Sequence, residues 1–245
     1  MTSINKRIKA NGLVEDFKQL NQFNDEYDKR FYKRIVFQRK NLKKLFGNNG
    51  IHFILKSLQR SRYLYLGLFD CLNVSNLALA FLVTRAHFEV TGSVAYFLWN
   101  LNKYYDGRIK EKELDDILGA LLLGGKTFPE KEKYPHRPDA INVLTQIDTA
   151  DKVFAHMNSG KNVKMFRECY DFLSEACHPN FLGLTFGSDE FDDGTITFQK
   201  KIDINDGNLK IIIPNMLISC AFFFHIYDKS FTQLKKNEIM PDLYK

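Results

Sequence analysis

The sequence lacks most of the signatures that would name a function outright. It holds one tryptophan, six prolines and four cysteines in 245 residues. Cys71, Cys169, Cys177 and Cys220 form no CxxC pair and no spacing that reads as zinc or as a disulfide framework. There is no Walker P-loop, no GxGxxG, no HExxH, no EF-hand loop and no GxSxG elbow, so the chemistry tied to each has no motif here. The opening stretch MTSINKRIKANGLVEDF has no apolar core of the kind a signal peptide needs. The run 64–83 is broken by Asp70, Asn73, Ser75 and Asn76, short of the roughly 20 clean residues a bilayer span requires. The expectation is a cytoplasmic chain with no membrane contact and reduced thiols. The net charge of +6 is modest for this length and does not by itself mark a nucleic-acid binder.

What is present is a globular composition, 44% apolar and 26% charged, which excludes wholesale disorder. The 22 Phe and 11 Tyr point to a core filled by rings, or to a small-molecule pocket lined by them; ring content alone does not separate the two. With no obvious linker, a single helical domain over 1–245 is expected. Its parts are an N-terminal basic helical region (1–47), a bundle core (51–181), a β-hairpin (194–213) and a C-terminal helix (214–236).

Residues 29–44 carry eight basic side chains and no acidic one. At 100° per residue Phe31, Ile35, Leu42 and Leu45 share a stripe opposite Lys29, Lys33, Lys40 and Lys44, which predicts an amphipathic helix ending at Gly47. Its face (Lys29, Arg30, Lys33, Arg34, Arg39, Lys40, Lys43 and Lys44) reads as a track for a phosphate backbone, or as a solvated surface that docks an acidic partner.

Helices follow over about 51–69, from Asn73 or Ser75 to Tyr105, and over 110–123. Apolar residues cover every side of 77–99, so this should be the central helix. Asp139 is placed to cap a fifth helix through Phe154, and a sixth through Phe166, Tyr170 and Cys177 should stop near His178, ahead of Pro179. The segments TITFQKKIDI and LKIII read as a hairpin turning at Asp206-Gly207, with Pro214 opening the last helix. The fold class is therefore mainly α, a multi-helix bundle with one β-hairpin inserted before the C-terminal helix.

Two clusters could carry chemistry. The central helix places Arg85, His87 and Glu89 in an apolar context, with Arg85 and Glu89 four residues apart on one face. Burying charge costs several kcal/mol per ion unless it is paired, so these residues serve either a structural ion pair or a site. The sixth helix presents Tyr170, Ser174 and His178 along one face. A histidine in a last helical turn is placed to cap free carbonyls, or to act as an acid or an anion contact. No acidic partner for that histidine can be assigned, which argues against a Ser174–His178 hydrolase. Asp115-Asp116 and Asp192-Asp193 lack further ligands at metal spacing. His52, His136, His156 and His225 are scattered singly and suggest no site.

RAHFE on a buried helix, followed by YDFLSEACHPN at the end of a later one, resembles a divergent branch of the HEPN-like helical proteins over about 51–181. The usual Arg–His pair of that superfamily, four to six residues apart, is absent: Arg85 precedes His87 by two and Arg167 precedes His178 by eleven. The resemblance implies a four- or five-helix bundle, a homodimer and a metal-independent ribonuclease or RNA-binding effector of bacterial defence, toxin–antitoxin or abortive-infection systems. It implies no cofactor. In its catalytic form His178 would exchange protons with the ribose or leaving oxygen, Arg85 would stabilise phosphorane charge, Glu89 would position Arg85, and Tyr170 and Ser174 would support them. A helical adaptor, sensor or immunity partner, in which the same residues only fix the fold, is the other expectation.

Overall fold

Leu77–Tyr105 is apolar on every side, and the other long helices pack around it. The computed structural model describes residues 2–37, 45–125, 138–158, 164–200, 204–238 and 240–245. In chain order the elements are α1 (Thr2–Ala10), α2 (Val14–Arg30), β1 (Arg34–Val36), α3 (Leu45–Val74) and α4 (Leu77–Tyr105). Then come α5 (Glu111–Leu123), α6 (Val143–Met157), α7 (Met165–Cys177), α8 (Phe181–Thr185), β2 (Ser188–Glu190), β3 (Ile196–Phe198), α9 (Asp206–Asn237) and β4 (Asp242–Tyr244). The protein is mainly α-helical, with a small hairpin ahead of its last long helix.

Asn76 starts α4 by accepting a hydrogen bond from the Leu79 backbone N–H at 3.1 Å, as a helix cap should. α4 then packs against α3, α5, α6, α7 and α9. Phe166 of α7 gathers three of these helices: its ring lies 4.6 Å from Phe222 of α9, 5.6 Å from Phe88 of α4 and 5.9 Å from Phe154 of α6. Gly92 lets α6 approach closely, since a Cβ there would sit 3.1 Å from Ile147 Cδ1 and 3.2 Å from the Gln146 carbonyl carbon. Such contact leaves almost no room for added volume.

Several expectations are corrected. The basic run does not form one helix: α2 ends at Arg30, and 34–36 extend as β1, paired antiparallel with β4 in the register Ile35 to Leu243. The physical cause is long-range. Ile35 and Val36 are β-branched, and their strand partner lies at the far end of the chain, so local periodicity could not reveal it. Gly47 is buried inside α3 instead of ending a helix. Arg39, Lys40, Lys43 and Lys44 lie outside the described residues.

The hairpin is formed by β2 and β3 in the register Asp189 to Thr197, and not by a turn at Asp206-Gly207. There Asn205 caps α9, accepting from the Asn208 N–H at 2.8 Å. Leu209, Ile212, Ile213 and Met216 are buried at helical spacing, so LKIII is the first part of α9. A short continuous apolar run fits a strand and a buried helix equally well, which is why its sequence misleads. Pro214 accordingly lies inside α9 and does not open it. Asn142, and not Asp139, caps α6 by accepting from Leu144 N–H at 2.8 Å. By length and composition α9 could cross a membrane, but 56% of its apolar window is buried in the fold, as in a core helix.

Candidate active site

Arg85 leaves α4 toward α7, and the two helices bring together four residues singled out above. Arg85 Nε donates to Ser174 Oγ at 3.0 Å, and its Nη2 donates to the Tyr170 hydroxyl at 2.9 Å. Tyr170 in turn donates to Glu89 Oε1 at 3.1 Å, and Arg85 Nη2 lies 3.3 Å from the same oxygen. The guanidinium carbon is 5.2 Å from the Tyr170 ring centroid, within cation–π range. One helical turn separates Arg85 from Glu89 and another separates Tyr170 from Ser174, so two short spacings generate the whole cluster.

The Arg85 side chain is 21% exposed and that of Glu89 35%. Burial opposes the Arg85 charge, but the Tyr170 hydrogen bond and the nearby Glu89 carboxylate outweigh it and hold its pKa above the usual arginine value. Arg85 Nη1 and Glu89 Oε2 make no hydrogen bond among the described residues, so each retains capacity for a bound group. Cys177, seven residues past Tyr170, belongs to the same neighbourhood. Its thiol is pushed up by burial first, with Arg85 acting in the opposite direction, so it stays protonated and is a poor nucleophile. Its i+7 spacing from Tyr170 was the signal for this placement.

His178 ends α7: its backbone N–H donates to Ser174 O at 3.0 Å. Its side chain is exposed and makes no hydrogen bond or ion pair among the described residues, so the structure brings it to the end of the cluster's helix but not into the hydrogen-bonded set. The chain turns sharply here. A Cβ on Gly183 would sit 1.9 Å from the His178 carbonyl oxygen, so only glycine lets α8 fold back on this end of α7.

Beside Glu89 a cleft of about 280 Å³ opens between α3, α4 and α5. Lys56, Ser57 and Arg60 of α3, Glu89 and Ser93 of α4, and Leu121 and Leu122 of α5 line it. Lys56 and Arg60 form no ion pair among the described residues. Sequence reasoning passed over both, although their i, i+4 spacing in LKSLQR places them on one face.

His87 departs from the cluster. Two residues beyond Arg85, it points into the core, is 0% exposed, and hydrogen-bonds Ser61 Oγ through Nε2 and Ser219 Oγ through Nδ1, each at 2.7 Å. Tyr27 joins through Ser61 at 2.6 Å, and Thr91 through Ser219 at 3.1 Å. Burial pushes the His87 pKa down to about 3, so its imidazole is neutral.

The basic residues that are described divide into different settings. Arg30 grips Asp228 at 2.6 and 2.8 Å and Glu26 at 2.6 Å, and Lys29 also pairs with Glu26. Arg34 lies over the Tyr244 ring at 4.3 Å, while Lys33 is exposed. Among the described residues no three His, Cys, Asp or Glu side chains gather as a metal would require. No protein-family model, curated protein or solved structure matches the chain.

Proposed function

We propose that the protein is a HEPN-like effector that binds RNA and cleaves it, with the Arg85–Glu89–Tyr170–Ser174 cluster handling the scissile phosphate. The observation that carries this reading is the convergence of those four residues, from two helices far apart in sequence, on a partly exposed patch with one guanidinium nitrogen unspent. Ser174, Tyr170 and Glu89 fix the plane of Arg85, so Nη1 meets a phosphate oxygen with little reorganisation. Lys56 and Arg60 hold the neighbouring backbone phosphates by a salt-sensitive attraction. His178, exposed just past Ser174, exchanges the proton with the ribose hydroxyl or the leaving oxygen. A second copy of the chain would bring a second such site alongside the first.

One observation favours a second reading. Arg85 already donates to Ser174 and Tyr170 and pairs with Glu89. This is what a latch between α4 and α7 in a helical adaptor or immunity partner would also show. Incubating wild-type protein and Arg85→Ala with total RNA in EDTA separates the two. On the effector reading the wild type cleaves and the variant is slower by about 10²–10³-fold, the usual cost of one oxyanion donor. An inactive wild type, with the variant changed only in melting temperature, supports the latch.

A further inference from the structure

A larger cleft, of about 800 Å³, lies at the opposite end of α4. Trp99, which lines it, is ten residues from Glu89, or about 15 Å along the helix axis, and the two clefts share no lining residue. Its volume falls within the roughly 300–1,000 Å³ typical of small-molecule sites. It is walled by the last turns of α4, by His156 at the end of α6, and by His225 and Lys229 on one face of α9.

Several donors of this cleft are unengaged, and among the described residues one acceptor, Gln233 Oε1, is buried without a partner. Its two carboxylates are already engaged: Asp228 is held by Arg30 at 2.6 and 2.8 Å, and Asp106 is paired with Arg108. Asn102 Oδ1 accepts from Gln233 Nε2 at 2.7 Å, which leaves the Asn102 N–H pair unspent. Lys229, His225 and His156 make no hydrogen bond or ion pair among the described residues. Burial first, and then the Lys229 charge, push the His225 pKa below its ordinary value, with the Asp228 carboxylate acting in the opposite direction. The carbonyl ends of α4 and α6 disfavour an anion, an effect that reaches His156 in the last turn of α6 but fades within a turn, and His225 and Lys229 stand in the interior of α9. Trp99, half-buried and the sole tryptophan of the chain, adds a flat apolar wall suited to stacking.

We infer that this cleft binds a phosphomonoester carrying a flat ring, the chemistry of a nucleoside monophosphate, with the phosphate at Lys229, His225 and His156 and the ring against Trp99. The inference is independent of RNA cleavage. It also places in one site two histidines that the sequence leaves scattered.

Titration of the full chain with each common ribonucleoside 5′-monophosphate, read by Trp99 fluorescence with calorimetry alongside, tests it. At least one nucleotide should bind saturably, with the matching nucleoside and inorganic phosphate each weaker by about tenfold or more. A Lys229→Ala, His225→Ala double variant changes two exposed side chains, so it should melt like the wild type and lose about tenfold or more in affinity. No saturable binding at about millimolar nucleotide, on a scale where that means only about 4 kcal/mol, would overturn the inference. So would a nucleoside or inorganic phosphate that binds as tightly as the nucleotide, or a double variant that binds like the wild type.

Discussion

Arg85 and His87 are two residues apart on one helix and belong to opposite kinds of polar site. Arg85 keeps its charge, reaches a partly exposed surface, and is held by groups that leave one nitrogen and a carboxylate oxygen unspent. His87 is neutral, fully enclosed, and satisfied at both ring nitrogens by serine hydroxyls. A satisfied buried network rigidifies a core and offers nothing to a substrate, whereas an exposed charged cluster with spare hydrogen-bonding capacity can act on one. The comparison makes His87 part of the core and leaves Arg85 with hydrogen-bonding capacity that the proposed function uses, and it can be broken from either side.

The largest effect on stability is expected from His87→Ala. It removes a packed ring and takes one hydrogen-bond partner from each of Ser61 and Ser219, which keep Tyr27 and Thr91, and should cost about 3–5 kcal/mol in chemical denaturation. A loss no greater than that of a surface substitution would remove the structural role given to this network.

Next in size is the response to acid. The folded-state pKa of His87 is about 3, against an ordinary value of 6.5. As pH falls the unfolded chain takes up this proton first, so the contribution is complete above 6.5 and is lost progressively between 6.5 and about 3. The slope is at most about 1.4 kcal/mol per pH unit. Denaturation curves from pH 7 to pH 4 should therefore converge between wild type and His87→Asn, and parallel curves would contradict the neutral, buried imidazole.

The smallest effect should come from Tyr170→Phe, which removes one hydroxyl between Arg85 and Glu89 while keeping the ring. About 1 kcal/mol of stability is the expected cost, because the cluster is partly solvated. A cost several times larger would mean that the cluster is as structural as the His87 network, and would sharpen the case for a latch.

Much of this organisation was legible in the sequence, and the failures have physical causes. α4 announced itself by apolar residues on every side, though its start was expected at Asn73 or Ser75 and lies after Asn76, and α5 and α7 announced themselves by apolar periodicity, with Pro179 just past the end of α7. The Arg85 cluster was legible because charges in an apolar helix need partners, and Tyr170 and Ser174 share a turn on α7. LKIII was misread because a run this short and apolar fits a strand and a buried helix equally well. The basic run was misread because its β-branched residues pair with Leu243, a partner no local window contains. The joining of His156 to His225 was invisible for the same reason: it depends on how α6 and α9 pack, and neither histidine carries a local pattern.

The proposed cleavage assigns proton transfer to His178, whose exposed side chain can be removed without disturbing either polar network. Its decisive measurement is RNA cleavage by His178→Ala in EDTA, with melting temperature recorded on the same samples. Cleavage reduced by about 10²–10⁴-fold at an unchanged melting temperature is the predicted result, the usual size of a lost general acid or base. Cleavage at the wild-type rate by a folded His178→Ala variant would contradict it.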